Sequence, residues 1–181
     1  MKIAITGSHG LAGRIIETLD AVPLRVENLL ANDHYLEEAL EKDVFINCAH
    51  ISFKQTWLLN LFFDGWRNLA NKHIINISSR AAKANISKGY LYSAQKAALN
   101  HLADNLIYNS DKQCKISTIN IGLMESKLPS LSYDEIVEVI EYILMTDIEI
   151  AEITIQHPEN YQKIQDTKKI MSEQGRVWKS T

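Results

Sequence analysis

Residues 2–13 read K-I-A-I-T-G-S-H-G-L-A-G, and this stretch decides the fold. The opening run K-I-A-I-T is apolar and β-branched, which is typical of a buried strand. Three of the chain's seven glycines, Gly7, Gly10 and Gly13, then fall in one short loop. Apolar residues at helical spacing follow from Leu11 to Leu19. The stretch therefore predicts a strand, a sharp turn and a helix.

The glycine loop has the chemistry of a phosphate-binding turn. Glycines let the backbone turn sharply, approach a pyrophosphate closely and leave the helix N-terminus facing the phosphates. Gly10 and Gly13 fit the second half of the G-x-G-x-x-G pattern, whereas Gly7 comes one residue too early. No Gly-Lys-Ser/Thr closes the loop, which excludes a P-loop. Taken alone, the loop is also compatible with a strand-to-helix turn that binds nothing.

Strands and helices alternate along the rest of the chain. Strands are predicted at 24–26, 43–47, 74–77, 116–121 and 152–155, a turn at 28–33, and helices at 33–40, about 54–71, 92–109 and 133–145. This alternation predicts an α/β fold with a doubly wound parallel sheet, Rossmann-like, in a single reduced domain. We expect that domain at residues 1–157. Residues 158–181 are predicted to be a C-terminal extension, helical and then flexible.

Composition excludes several classes of protein. The chain has 181 residues, 46% of them hydrophobic, and a net charge of −3, so nothing indicates a nucleic-acid partner. Its apolar runs are too short for a membrane span, and the N-terminus does not resemble a signal peptide. Cys48 and Cys114 lie far apart, which favours a cytoplasmic protein with free thiols. The six histidines show no ligand spacing, so no metal site is predicted.

A serine, a tyrosine and a lysine form a candidate catalytic group. Tyr92 and Lys96 are four residues apart on a predicted helix and share one face. A nearby ammonium favours the phenolate, which lowers the pKa of the tyrosine and makes it a usable proton donor or acceptor. Ser79 follows a predicted strand, at the edge of the sheet where α/β proteins bind ligands. It is placed to hydrogen-bond a substrate carbonyl.

The spacing of the pair is not unique in the chain. Tyr108 and Lys112 repeat it at the end of the same helix, but the residue thirteen positions before Tyr108 is Gln95, not a serine. Tyr92 begins its helix and follows the strand that carries Ser79. The alternative for Tyr92 is a core or interface tyrosine beside a surface lysine.

With the loop and the triad in view, the sequence resembles the short-chain dehydrogenase/reductase family over residues 2–157. The resemblance rests on five motifs: T-G-x-x-G-x-x-G at Thr6–Gly13, Asn47-Cys48-Ala49-His50 for the family's Asn-Asn-Ala-Gly, Asn76-Ile77-Ser78-Ser79, Tyr92-x-x-x-Lys96, and Ile121-Gly122 followed by Ser126.

The resemblance implies an NAD(P)-dependent oxidoreductase that transfers a hydride between nicotinamide and a carbonyl or alcohol substrate. Tyr92 would be the acid/base, Lys96 would hold the ribose and tune Tyr92, and Ser79 would orient the carbonyl. The cofactor-binding residues implied are Gly7, Ser8, His9, Gly10, Leu11, Gly13, Asn47, Ala49, Lys96, Ile121 and Gly122.

The chain is shorter than most members of that family. Between Leu24 and Asn47 there is room for one strand–helix unit where the family usually has two. The adenosine side of the cofactor site is therefore expected to be reduced.

The reduced adenosine side leaves the choice between NAD and NADP open. Glu27 is a candidate to bind the adenosine ribose, which would favour NAD, or it is a solvated charge. Asn32 or Asp33 is a candidate contact for the adenine. His9 and Arg14 would instead tolerate a 2′-phosphate.

A fourth catalytic residue is less well defined. Many members of the family use a helix asparagine, for which Asn60 is the candidate. An alignment through Gly65–Leu69 would place Phe62 there instead, and Asn60 is equally explained as a surface residue. His50 replaces the usual glycine and Ile121 the usual proline near the nicotinamide.

Two rival functions remain at this point. One is a catalytically silent or regulatory dinucleotide-binding relative. The other is an epimerase or dehydratase, although the short C-terminus leaves no domain to hold a sugar nucleotide. As the family commonly associates through the corresponding helices, we expect a homodimer or homotetramer through helices near 54–70 and 92–109.

Overall fold

The computed structural model describes residues 1–83 and 89–159. The strands are β1 (Ile3–Thr6), β2 (Val22–Leu24), β3 (Val44–Asn47), β4 (His73–Ser79), β5 (Lys115–Ile121) and β6 (Glu152–Ile155). The helices are α1 (Leu11–Leu19), α2 (Val26–Ala31), α3 (Asp33–Leu40), α4 (Lys54–Trp66), α5 (Tyr90–Tyr108) and α6 (Tyr133–Met145). Of the extension predicted at residues 158–181, residues 160–181 lie outside the described residues.

All six strands of the described sheet run parallel, in the order β2-β1-β3-β4-β5-β6. This confirms the predicted doubly wound α/β fold. From β1 the chain passes to β2 on one side, and it then crosses to β3 on the other side of β1. The strand order thus reverses between β1 and β3, which is where such sheets open a crevice for a ligand.

The two faces of the sheet bury separate hydrophobic clusters. Strand residues alternate between the faces, so Ile5 and Ile46 pack under α1 and α6, whereas Ala4 and Phe45 pack under α2 to α5. On the second face the ring of Phe45 stacks on Phe62 at a centroid distance of 3.6 Å. Four aromatic residues lie on α4: Phe62, Phe63 and Trp66 are buried, but Trp57 is exposed.

The edge next to the glycine loop differs from the sequence prediction in two ways. Residues predicted as a turn at 28–33 form most of helix α2, and β2 lies two residues earlier than predicted. The side chain of Asn32, not Asp33, caps α3, because it accepts the Tyr35 N–H at 3.1 Å. β2 ends the sheet, and an edge strand tolerates Pro23 because it needs hydrogen bonds on only one side.

Candidate active site and cofactor cleft

Two loops meet where the strand order reverses. One is the glycine loop after β1, and the other is Cys48–His50 after β3. The hydroxyl of Thr6, the last residue of β1, accepts hydrogen bonds from the backbone N–H groups of Cys48 and Ala49, at 2.9 and 3.0 Å. The strand before the glycine loop is therefore tied directly to the second loop.

The backbone of the glycine loop requires glycine. Gly7 and Gly10 have φ values of +95° and +57°. A Cβ on Gly7 would lie 3.3 Å from that of Ala12, and one on Gly13 would lie 3.1 Å from the carbonyl oxygen of Ser8. Among the residues that the structure describes, no side chain caps the start of α1. These open backbone amides fit the pyrophosphate of a dinucleotide.

A cavity of about 340 Å³ lies between the glycine loop and the end of β2. Its lining residues come from the loops after β1 and β3, from β2 and from the start of α2: Gly7, Ser8, Pro23, Leu24, Arg25, Val26, Glu27, Ala49 and Ile51. Glu27 forms an ion pair with Lys54 at 3.4 Å, and the exposed Arg25 is a second positive charge beside it.

Several candidates for the adenosine side have other roles. Arg14 donates to Asp134 at 2.5 Å and to Glu17 at 3.4 Å. Nδ1 of His9 lies 2.9 Å from the hydroxyl of Ser8. Asn32 is the helix cap described above, and the exposed Asp33 begins the same helix. Of the residues considered for the adenosine, the structure brings Glu27 to the cavity and adds Arg25, which the sequence analysis missed.

Lys96 is the most deeply buried member of the predicted triad, with 3% of its surface exposed. Its ammonium donates to Oε1 of Gln55 at 2.7 Å and to the carbonyl oxygen of Ile77 at 2.8 Å. Burial lowers the pKa of Lys96 to about 8. With this pKa, the ammonium is still mainly protonated at pH 7, and its hydrogen-bond partners are uncharged oxygens.

Gln55 connects Lys96 to the strands of the sheet. Its Nε2 donates to the carbonyl oxygens of Asn47 at 2.7 Å and Ile77 at 3.2 Å. The Asn47 side chain donates in turn to the carbonyl oxygen of Gln55 at 2.8 Å and to Oδ1 of Asn76 at 3.1 Å. Asn47, predicted beside the cofactor, is thus part of a buried polar network that joins β3, β4, α4 and α5.

Tyr92 and Ser79 lie at the same carboxyl edge of the sheet. The half-buried Tyr92 is in the first turn of α5, and Nζ of Lys96 lies 5.8 Å from the centre of its ring. The ring of His50 meets that of Tyr92 edge to face, with centroids 4.7 Å apart. Burial and the charge of Lys96 lower the pKa of His50. Ser79 ends β4, and its hydroxyl accepts the Ala81 N–H at 3.1 Å.

The structure does not bring Asn60 to this group. Asn60 is exposed, and its side chain donates to Asp64, one turn along α4, at 2.9 Å. The residue of α4 that reaches Lys96 is Gln55, which sequence reasoning missed. Gln55 is one of several polar residues of α4, and only its burial in the structure sets it apart, so the sequence carried no signal for it.

The remaining candidates lie on the far side of the crevice or outside it. Ile121 ends β5, and the N–H of Gly122 donates to the carbonyl oxygen of Ile155 at 2.8 Å.

The second tyrosine–lysine pair with the same spacing is Tyr108 and Lys112. Tyr108 is exposed at the end of α5, and Lys112 forms an ion pair with Glu149 at 2.5 Å. The second pair therefore lies at the opposite end of α5 from the crevice.

Two further properties concern metal ions and membranes. Within residues 1–83 and 89–159, no group of three or more His, Cys, Asp or Glu side chains is placed to hold a metal ion. Among the helices described, none has the length and hydrophobicity that a membrane span requires.

Comparison with known proteins agrees with this geometry. The family model for short chain dehydrogenases matches residues 10–135, which is more than half of the chain. The chain belongs to this family. No curated protein sequence matches it.

Solved structures share the fold at low sequence identity. The alcohol dehydrogenase of the archaeon Thermococcus sibiricus, complexed with 5-hydroxy-NADP, is 17% identical with a TM-score of 0.70, and the match covers 87% of this chain and 97% of that chain. Serine dehydrogenase from Escherichia coli is 16% identical with a TM-score of 0.65, covering 86% and 97%. The 3-ketoacyl-(acyl-carrier-protein) reductase from Brucella melitensis, complexed with NADH, is 14% identical with a TM-score of 0.67, covering 85% and 96%.

Proposed function

We propose that the chain is an NAD(P)-dependent oxidoreductase acting on a small carbonyl or alcohol compound. The observation that carries this proposal is the position of the triad. Tyr92 and Lys96 lie one turn apart on α5, and Ser79 ends β4. The glycine loop follows β1 at the same carboxyl edge of the sheet.

The bound nicotinamide would supply or accept the hydride. In the reducing direction, Tyr92 donates the proton to the carbonyl oxygen, and Ser79 holds that oxygen through its hydroxyl. Lys96 has three N–H donors, of which Gln55 and Ile77 take two. The third remains for the cofactor ribose, and the positive charge stabilises the tyrosinate left behind.

We further propose that the protein prefers NADP(H). Arg25 follows the last residue of β2 and lines the cavity beside the glycine loop. Two positive charges, those of Lys54 and Arg25, lie beside the single negative charge of Glu27 at this cavity. A positive charge at this position favours a 2′-phosphate over the neutral 2′-hydroxyl of NAD.

We also propose that the protein is a cytoplasmic homo-oligomer that assembles through α4 and α5. Apolar side chains project from these helices, including Trp57, Tyr90 and Leu91, which are exposed by 60%, 71% and 66%. Large aromatic side chains of this kind favour protein interfaces. The free cysteines Cys48 and Cys114 are compatible with a reducing compartment.

Calorimetric titration with NADPH and NADH tests the enzyme proposal and its cofactor preference. We expect NADPH to bind more tightly than NADH, and Arg25→Ala to remove most of that difference. Tyr92→Phe is expected to keep NADPH binding but to lower turnover of a carbonyl panel at least about 100-fold. Tyr108→Phe is the matched control, with unchanged turnover. Failure of both dinucleotides to bind would refute the proposal.

A regulatory dinucleotide-binding protein is the second candidate. It is favoured by the sheet order, because β2 is the edge strand and the described part of the chain has no further strand on the adenosine side. Tight binding of NADPH, with no turnover of any compound in the panel, would establish this function instead.

A further inference from the structure

Helix α6 begins against the glycine loop. A Cβ on Gly10 would lie 3.2 Å from the hydroxyl oxygen of Tyr133, and 3.7 Å from Cζ of its ring. Gly10 directly precedes α1 and has a left-handed backbone. The phenol of Tyr133, the first residue of α6, therefore occupies the space that a side chain at Gly10 would fill.

Contacts from three directions hold the first turn of α6 at this place. Arg14 of α1 donates to Oδ1 of Asp134 at 2.5 Å. Glu125 accepts the backbone N–H of Tyr133 at 3.0 Å. Ser132 and Glu135 form a reciprocal capping box. The ring of Tyr133 packs against the hydrophobic cluster under α1 and α6, so the position of its hydroxyl is set by the fold.

The chemistry of this position suits a hydrogen-bond donor to phosphate. A phenol has an O–H donor, and the place of Tyr133 against Gly10 puts that donor at the loop whose backbone is proposed to hold the pyrophosphate. Within residues 1–83 and 89–159, the hydrogen bond that the structure gives Tyr133 is made by its backbone N–H, and its hydroxyl lies against Gly10. Packing alone would be served equally well by a phenylalanine.

We propose that Tyr133 is a cofactor-binding residue whose hydroxyl donates a hydrogen bond to the pyrophosphate of the dinucleotide. This inference rests on the proposed function, since it assumes that a dinucleotide occupies the cleft. It assigns to α6 a direct part in cofactor binding. The start of α6 and the glycine loop then form two sides of one pyrophosphate site.

The test compares ligands that contain the pyrophosphate with one that lacks it. Calorimetric titrations of the wild-type protein and Tyr133→Phe would use ADP-ribose, NADPH and adenosine 2′-monophosphate. A hydrogen bond to a charged group predicts that Tyr133→Phe weakens binding of ADP-ribose and NADPH about tenfold. Binding of adenosine 2′-monophosphate is expected to be unchanged. Tyr142→Phe is the control, because Tyr142 lies on the same helix and is 60% exposed.

The variant retains the ring, so its melting temperature is expected to match that of the wild type. If Tyr133→Phe binds ADP-ribose as tightly as the wild type, or more tightly, the phenol only packs against the loop and the inference is wrong. Equal weakening for all three ligands would also overturn it, because the effect would not depend on the pyrophosphate. If the wild-type protein binds neither ADP-ribose nor NADPH, the proposed function fails together with the inference.

Discussion

The ammonium of Lys96 is buried inside the protein, where only 3% of the residue is exposed. Two neutral oxygens, from Gln55 and Ile77, replace the water that would otherwise surround it. Without such hydrogen-bond partners, a buried charge strongly destabilises the folded protein. Gln55 also binds the backbone of β3, so the orientation of Lys96 depends on the sheet as well as on its own helix.

Gln55→Leu is expected to destabilise the protein by about 3 kcal/mol, because it leaves an ammonium and two backbone carbonyls buried without this partner. The exposed Asn60 on the same helix provides the control, and Asn60→Ala should change the unfolding free energy by less than about 0.5 kcal/mol. Urea denaturation of both variants checks the difference. Equal effects of the two substitutions would contradict the role of Gln55.

His73 makes the stability of the protein depend on pH. Burial, and then the charge of Lys115, lowers its pKa to about 4, while Glu149 acts in the opposite direction and Lys112 in the same one. Nε2 of His73 lies 2.9 Å from the hydroxyl of Ser117. The unfolded chain takes up this proton near pH 6.5, so stability is present above that pH and is lost as the pH falls towards 4.

We therefore expect the wild-type protein to lose about 2 kcal/mol more stability than His73→Gln between pH 7 and pH 4.5. Urea denaturation at the two pH values measures this difference. His34→Gln is the control, since the His34 side chain is 79% exposed. Parallel losses in the wild type and His73→Gln would show that this histidine is not responsible.

At the scale of secondary-structure elements, the start of α6 has the clearest local support. The hydroxyl of Ser132 accepts the Glu135 N–H at 3.3 Å, and the Glu135 carboxylate accepts the Ser132 N–H at 2.8 Å. The hydrogen bonds that the backbone N–H and the hydroxyl of Ser132 donate to the Glu135 carboxylate lower the pKa of Glu135. The capping box therefore sets where α6 begins, and with it the position of Tyr133.

Ser132→Ala is expected to lower the unfolding free energy by about 1 kcal/mol, since it removes the side-chain acceptor at the helix N-terminus. Thermal and urea denaturation measure the change. Glu138→Ala, an exposed substitution further along α6, should have little effect. A loss for Glu138→Ala as large as that for Ser132→Ala would argue against a capping effect.

At the scale of the whole molecule, the proposed assembly depends on the surface of α4 and α5. Trp57 is 60% exposed, although the neighbouring aromatic residues of its helix are buried. A charge placed there would oppose the burial of that surface between two subunits. The opposite face of the sheet offers a comparison, because Tyr142 of α6 is exposed to the same extent.

We expect sedimentation velocity to show a dimer or tetramer for the wild-type protein and a smaller species for Trp57→Glu. Tyr142→Glu should sediment as the wild type does. Dissociation by Tyr142→Glu but not by Trp57→Glu would place the interface on the other face of the sheet. A monomeric wild type would remove the basis for the proposed assembly.

The sequence by itself determined the fold, because the signals for it are local. Strand and helix periods and the three clustered glycines each act over a few neighbouring positions. The spacing of Tyr92 and Lys96 placed both on one helix face, and the position of Ser79 after a strand placed it at the carboxyl edge. The reduced length between Leu24 and Asn47 also predicted that a strand–helix unit is missing.

Only the tertiary structure decided which side chains meet. Gln55 and Lys96 are 41 positions apart and Arg14 and Asp134 are 120 apart, yet both pairs are in contact. Arg25 reaches the cavity because β2 ends one residue before it, two positions earlier than predicted. Tyr133 reaches Gly10 because α6 packs beside α1. Such contacts depend on how helices lie across the sheet, and no local pattern in the sequence encodes that packing.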